Sequence, residues 1–437
     1  MSKTTLKTPE IVYTADQFKQ TLHLLYQSER LALAEGRYFE RTPMLMTGPP
    51  GSAKTATVKE FTKELDEMIK KAKPGAKGCQ LYTMRLTQNE ITDFKGVPVY
   101  EKRDDQVQCS FAAPSVLPLK GSPGSADGYE MTVIFFDEMQ QAIPQLQQLA
   151  GALLDGTVGD QELDHTRCFF VACANRVKDN ATVFPLAANL SNRFLHGTME
   201  SDVDQWLQWA LQNKINSVIS GFLAHNSLRF NEPVPPASTE NTPFATSRTW
   251  SKLSQSLNYI DKISGDSWIN YPDQNLIRNW VLSTVGYVAG TDLLATAKNI
   301  KESIDVNAIE EGKNPKLPVK PDVQFAVIYE LICRTDSYLA PVKQVDDFSN
   351  ISAIQAALKN IQDKELKKIK NIILWLANKT AEKGDQKLNE SLTAIYRGAY
   401  TDKKIKAALQ VLGQTDKDIK LSLDLQKEIN QKLTVIN

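Results

Sequence analysis

The feature that most constrains this chain is the eight-residue loop Gly48-Pro-Pro-Gly-Ser-Ala-Lys-Thr55. The apolar run Met44–Met46 before it predicts a strand, and amphipathic spacing after it predicts a helix from Lys54 to about Lys71. Glycines let the backbone turn so that successive N–H groups point at one place, and the start of a helix adds the positive end of its dipole. A strand, such a loop and a helix in this order predict a phosphate-binding site.

Two side chains give the loop its chemistry. Lys54 can reach the β- and γ-phosphates of a nucleotide, and the hydroxyl of Thr55 can ligate Mg²⁺. Ala53 stands where the general pattern GxxxxGK[ST] has its second glycine, and we expect its methyl group to need only a helix-compatible φ. On the loop alone, a Gly/Pro turn with an incidental lysine remains the alternative. The residues that we expect to contact the nucleotide in this segment are Gly48, Pro49, Pro50, Gly51, Ser52, Ala53, Lys54, Thr55 and Ala56.

Two acids follow the most strand-like segment of the chain. Thr132–Phe136 is an unbroken β-branched and aromatic run, typical of a strand buried in a parallel sheet. Because ligands bind at the carboxyl edge of such sheets, we expect Asp137 and Glu138 to lie beside the loop. Asp137 can hold the water shell of Mg²⁺, and Glu138 can polarise the attacking water as general base. A helix N-cap pair is the alternative interpretation.

Three further polar residues are candidates, and each has two open interpretations. Asn175 ends the predicted strand Cys168–Ala174 and either orients the same water or forms a turn. Arg193 either reaches the γ-phosphate of a neighbouring subunit or makes a surface salt bridge. Arg248 either folds back onto the nucleotide or is a solvated residue at a helix start. The predicted catalytic residues are therefore Lys54, Glu138, Asn175 and Arg193.

Strand and helix patterns alternate up to about residue 200, which predicts a doubly wound α/β core. An N-terminal helix is predicted over residues 9–40, with Thr14–Gln17 as its cap. The stretch after the predicted strand 81–86 is polar and carries several turn signals. Beyond residue 201 strand signals fade, and helices are predicted around 203–223, 247–260 and 275–300.

Composition excludes some classes of protein and leaves others open. The 437 residues carry a formal net charge of zero, so the whole molecule offers no electrostatic attraction to nucleic acid or membranes. A cluster of lysines at Lys364, Lys367, Lys368 and Lys370 is either a solvated helix face or a nucleic-acid contact.

The five scattered cysteines form no CxxC pair, which argues against a zinc site or a disulfide framework and suits a reducing compartment. The sequence has no apolar leader segment and no run of eighteen apolar residues. We therefore expect a cytoplasmic protein without a membrane partner.

Taken in order, these segments resemble the AAA+ superfamily and, within it, the MoxR-like branch. Gly48–Thr55 is similar to the Walker A segment of that branch, which commonly has alanine before the lysine, and Phe136-Asp137-Glu138 is similar to its Walker B segment. Asn175 matches sensor 1, Arg193 the arginine finger and Arg248 sensor 2, although Ser247 stands where the branch more often has proline.

The resemblance covers roughly residues 10–300 and includes residues 92–98 and 113–118, similar to the insertion of this branch, and 202–206, similar to the opening of its lid. It implies an ATPase with ATP and Mg²⁺ at the interfaces of a ring homo-oligomer, usually a hexamer. It also implies a remodelled client protein, which often contains a von Willebrand factor A domain. The alternatives are a nucleic-acid motor and a nucleotide-locked scaffold subunit.

The expected domains follow from the patterns and the resemblance together. Residues 1–200 form the nucleotide-binding core with its N-terminal helix, residues 201–314 form a helical lid, and residues 315–437 form a helical region of unknown role.

Overall fold

The computed structural model describes residues 11–36, 41–103, 106–121, 128–176, 184–233, 242–342, 345, 350–381, 408, 411 and 412. Its described residues form two compact units. The first contains those of residues 1–201 together with Pro233, and the second contains those of residues 202–232 and from 242 onward.

All described strands belong to the first unit. They are β1 (Val12–Tyr13), β2 (Met44–Thr47), β3 (Cys79–Arg85), β4 (Val97–Arg103), β5 (Gln106–Ala112), β6 (Met131–Asp137), β7 (Thr157–Val158), β8 (Gln161–Glu162), β9 (Cys168–Ala174) and β10 (Leu195–Met199). Six of these described strands form a parallel sheet in the order β1, β10, β2, β9, β6, β3. The pairs β4–β5 and β7–β8 are antiparallel.

The first unit also contains helices that cover both faces of the parallel sheet. They are α1 (Ala15–Ala34), α2 (Lys54–Ala72), α3 (Ile91–Lys95), α4 (Pro144–Leu154) and α5 (Ala188–Ser191). Met46, Phe135 and Val171 pack with apolar residues of α1 and α2, whereas their strand neighbours Leu45 and Phe136 pack with residues of α4 and α5. Alternate side chains of a strand point to opposite faces of the sheet, so these contacts show helices packed on both faces. The predicted doubly wound α/β core is therefore confirmed.

Local sequence signals explain where several elements begin and end. Thr14 and Gln17 form the predicted capping box, so α1 begins at Ala15. The predicted helix start near residue 9 is wrong, because Val12–Tyr13 pairs with β10 as an edge strand. Residues 9, 10 and 37–40 of that predicted helix lie outside the described part of the chain.

Other expectations need correction where tertiary pairing decides the structure. The polar stretch after β3 contains the β4–β5 hairpin, and β10 completes the sheet without a predicted strand signal. Two predicted helices are each broken into two. The second break falls at Gly286, and its φ of +89° ends the first of the two helices. A Cβ at this position would clash with the carbonyl oxygen of Pro243, so only glycine fits there.

The second unit is helical, as predicted. Its helices are α6 (Val203–Gln212), α7 (Ser217–His225), α8 (Ser247–Ser264), α9 (Gln274–Val285), α10 (Tyr287–Ser303), α11 (Val306–Glu310), α12 (Pro321–Tyr338), α13 (Ile351–Lys359) and α14 (Asp363–Ala381). One apolar core contains residues of α6 to α12 and of α14. This core therefore joins helices of the predicted lid, residues 201–314, to helices of the predicted C-terminal region, residues 315–437. No helix within the described ranges is long and apolar enough to span a bilayer.

A buried carboxylate fixes α11 against α12 and α14. Glu310 is 6% exposed and accepts hydrogen bonds from Arg334 at 3.1 Å and from the Tyr338 hydroxyl at 2.8 Å, and it pairs with Lys368 at 2.7 Å. Burial alone would raise the pKa of Glu310, but these partners outweigh it and lower the pKa below its ordinary value. Lys368 therefore belongs to an internal ion cluster, which neither interpretation of the lysine cluster anticipated.

We expect Gly221→Ala to destabilise the protein. On a helix face open to solvent this change gains roughly 0.5–1 kcal/mol. A Cβ at Gly221 would lie 2.2 Å from the Cα of Ala326, however, because α7 and α12 pack closely there. The overpacking should lower the free energy of unfolding by about 1–3 kcal/mol, measured by chemical denaturation. Lys252→Ala, on the exposed face of α8, is the control and should change it little. A gain in stability for Gly221→Ala would contradict the close packing.

Candidate functional site

The loop 48–53 joins the end of β2 to the start of α2 at the carboxyl edge of the parallel sheet. Gly48 donates its N–H to the carbonyl oxygen of Ala174 at 3.2 Å, which ties the loop to the end of β9. A Cβ at Gly48 would lie 2.4 Å from the carbonyl oxygen of Met199, so no larger residue fits there without a backbone shift. Gly51 has a φ of +82°, which favours glycine.

Ala53 does not have the helix-compatible φ that we expected. Its φ is +66° and its ψ is 7°, in the left-handed region, at the position immediately before α2. This conformation explains why glycine is usual at the position, and it costs an alanine roughly 1–2 kcal/mol. Glu138 is also left-handed, with a φ of +57°. Among the described non-glycine residues only Lys214 shares this feature, so the strain is concentrated around this site.

The ammonium of Lys54 lies against the loop. It donates to the carbonyl oxygens of Gly48 at 2.8 Å and Pro49 at 2.9 Å, and to the hydroxyl of Ser52 at 3.2 Å. A longer contact of 3.4 Å reaches Oδ1 of Asn175, at the end of β9. Lys54 is 8% exposed, so its charge is held inside the loop that precedes it. The structure thus brings together two predicted catalytic residues, one at the start of α2 and one directly after β9.

The hydroxyl of Thr55 and the carboxylate of Asp137 lie beside this lysine. Thr55 Oγ1 donates to Asp137 Oδ2 at 3.4 Å, and Asp137 Oδ1 accepts the backbone N–H of Glu138 at 3.2 Å. Burial raises the pKa of Asp137 above its ordinary value, and the neighbouring Glu138 carboxylate raises it further. A hydroxyl and a carboxylate are the hard oxygen donors that Mg²⁺ prefers, so this pair fits that cation.

Glu138 contacts a residue that the sequence analysis did not identify. The hydroxyl of Thr87, two residues beyond the end of β3, donates to Glu138 Oε2 at 3.3 Å. In the parallel pairing of β3 with β6, Arg85 stands opposite Asp137. That register places the residues following each strand side by side, and no local pattern in the sequence could have revealed it.

The other predicted residues of the loop segment differ in their exposure to solvent. Ser52 is 5% exposed, Pro49 and Pro50 are partly buried, and Ala56 is exposed on the first turn of α2.

The two predicted arginines lie in different units. Arg193 follows α5 in the first unit, donates to the carbonyl oxygen of Gly151 at 2.9 Å and pairs with the Asp155 carboxylate. About a third of its side chain, 34%, stays exposed. Arg248 is the second residue of α8 in the second unit and is exposed. The contacts described for Arg193 are with α4 and the residue after it, rather than with the loop that holds Lys54.

No family model matches the sequence, and no curated protein matches it either. Among solved structures, the chain is similar to PCH-2 of C. elegans, with 11% identity over 67% of this chain and 71% of that one, at a TM-score of 0.30. It is also similar to the ORC2 protein of Aeropyrum pernix, solved in ADPNP–ADP complexes, with 10% identity over 90% of this chain and 96% of that one, at a TM-score of 0.35. At these scores neither likeness establishes a family.

We expect opposite effects from two replacements of Ala53. Ala53→Gly relieves the left-handed strain and should raise the free energy of unfolding by up to about 1 kcal/mol. Ala53→Val places a β-branched side chain at a φ of +66° and should lower it by more than about 1 kcal/mol. Thermal unfolding without nucleotide measures both, and Ala56→Gly serves as the control for an ordinary helical position. A stability order in which valine equals or exceeds glycine would contradict the left-handed conformation.

Proposed function

We propose that this protein is a Mg²⁺-dependent ATPase of the AAA+ type. The observation that carries the proposal is the convergence of Lys54, Thr55, Asp137 and Asn175, which come from the start of α2 and from the ends of β6 and β9. A buried cation, two hard oxygen donors for a cation and a polar amide at one sheet edge are the groups that phosphoryl transfer from ATP requires.

The reaction begins with ATP held by the loop. Backbone N–H groups of residues 51–55 and the ammonium of Lys54 bind the phosphates, since Pro49 and Pro50 have no N–H to donate and Gly48 donates its own to Ala174. Thr55 and Asp137 are the residues that would hold Mg²⁺. When bound, Mg²⁺ supplies positive charge that neutralises the phosphate oxygens. Glu138 accepts a proton from water while the water oxygen bonds to the γ-phosphorus and the bond from that phosphorus to the β-phosphate oxygen breaks. ADP and orthophosphate are the products, and Asn175 orients the water.

We expect Glu138→Gln to abolish turnover and to leave ATP binding intact. An amide keeps the size and one hydrogen-bond acceptor of the carboxylate but cannot take the proton, so kcat should fall at least about 100-fold. Steady-state phosphate release measures turnover, and fluorescence of a labelled ATP analogue measures binding. Glu67→Gln, an exposed change on α2, is the matched control. Turnover equal to wild type with intact binding would remove Glu138 as the general base.

Arg193 acts on the site of a neighbouring subunit in this proposal. Its guanidinium pairs with Asp155 on the first unit and stays partly exposed. In this proposal the exposed part of the guanidinium contacts the phosphate groups of a nucleotide bound to the neighbouring subunit. Charge on the transferring phosphoryl group is best met by a guanidinium. The chain would then form a ring, and Arg248 of the helical lid would bind the nucleotide.

Mixing two inactive variants tests whether Arg193 acts in trans. Arg193→Ala should lower kcat by about 10³-fold or more, and Glu138→Gln is inactive for a different reason. In mixed oligomers, a subunit that carries Arg193→Ala keeps Glu138 and can receive Arg193 from its neighbour, so ATPase activity should reappear. The activity of each variant alone, at the same total concentration, is the control. No recovery after verified subunit exchange would place Arg193 in cis or outside catalysis.

The finer part of the proposal is the MoxR-like branch. It rests on the resemblance of residues 48–55, 92–98 and 113–118 to that branch. In this proposal the ring is a hexamer in the cytoplasm, and residues 201–314 form the lid. Hydrolysis remodels a client protein, and the candidate clients are proteins with a von Willebrand factor A domain. Residues 315–437 then form an additional helical region.

A further inference from the structure

A polar cleft of about 400 Å³ adjoins the candidate site on the α2 side of β3. Its lining is formed by Thr55, Lys59, Thr83, Arg85, Gln88 and Asn89. Thr55 and Lys59 are one helical turn apart on α2, and Thr83 and Arg85 are two residues apart on β3, so each pair shares one face of its element. The cleft therefore extends from Thr55 between a helix face and the edge strand of the sheet.

The cleft is suited to anions. Two of its six described lining residues are cationic, the other four carry hydroxyl or amide groups, and none of the six is acidic. Lys59 and Arg85 are exposed, so water and small solutes reach both. The formal net charge of the chain is zero, so this pair of cations is a local feature of the cleft and does not reflect a basic protein. No aromatic side chain lines it, which favours a compact oxyanion over a nucleobase.

The cleft is also connected to the reaction chemistry. Thr55 belongs both to its lining and to the pair of oxygen donors with Asp137. Arg85 stands opposite Asp137 in the parallel pairing of β3 with β6. Through Thr55, the cleft therefore adjoins the place where the proposed reaction would release phosphate.

We propose that this cleft is a second anion site that takes the orthophosphate released by hydrolysis, separate from the loop that holds ADP. The inference rests on the proposed ATPase function for the origin of the phosphate. The binding of phosphate itself depends only on Lys59, Arg85 and the neighbouring donors.

The test measures the binding of inorganic phosphate to the full-length protein saturated with ADP and Mg²⁺, by equilibrium dialysis with radiolabelled phosphate. Lys59→Gln removes one cation from the cleft and should weaken phosphate binding about tenfold or more, since a hydrogen bond to a charged group contributes about 1.5–3 kcal/mol. The affinity for ADP should change less than about twofold. Lys63→Gln, one turn further along α2 and outside the described lining, is the matched control and should bind phosphate like wild type.

A second measurement separates this inference from the proposed function. Orthophosphate should inhibit steady-state ATP hydrolysis, and Lys59→Gln should raise the inhibition constant by the same factor as it weakens binding. If the protein hydrolyses no ATP but loses phosphate binding with Lys59→Gln, the anion site stands and the ATPase proposal fails. If hydrolysis is normal but Lys59→Gln and Lys63→Gln bind phosphate equally, the cleft is not the phosphate site. Equal loss in both variants would show a diffuse charge effect and would also overturn it.

Discussion

The pairing of β2 with β10 on one side and with β9 on the other is the constraint on which the site depends. Thr47, the last residue of β2, stands beside Thr198 and Ala174, so the loop that follows leaves the middle of a sheet buried on both faces. The N–H of Gly48 then bonds to Ala174, and the carbonyl oxygens of the loop turn toward the ammonium of Lys54. Without this central position, the loop would have neither the neighbouring strand ends nor the backbone contacts that shape it.

Two strained residues show where the fold gives up stability at this edge. Ala53 and Glu138 both adopt the left-handed conformation, one just before α2 and the other just after β6. At Ala53 this conformation turns the chain before α2, and Lys54 then contacts the loop. At Glu138 it turns the chain after β6, and the Glu138 carboxylate then contacts Thr87. Such strain persists only where the surrounding structure determines the backbone, and here the buried strands on either side do so.

Much of the core could be predicted from local patterns. Strands β6 and β9 are continuous apolar runs because both of their faces are covered, and the capping box of Thr14 and Gln17 defines the start of α1. Strand β10, by contrast, contains His196, Gly197 and Thr198, and its residues become a strand only because β1 and β2 flank it. The antiparallel strands β4 and β5 are not predicted for the same reason, since pairing between polar strands leaves a weak signal along the chain.

The sequence by itself determined the chemistry of the site: a lysine, a hydroxyl, two adjacent carboxylates and an asparagine, each following a predicted strand or beginning a helix. Those identities depend on residue type and on short spacing, which the sequence contains directly. Only the tertiary structure decided that Ala53 is left-handed, that Thr87 meets Glu138, that Arg193 pairs with Asp155, and that Lys59 and Arg85 line one cleft. These facts depend on parallel register and on contacts between residues far apart in the chain, which no local pattern encodes.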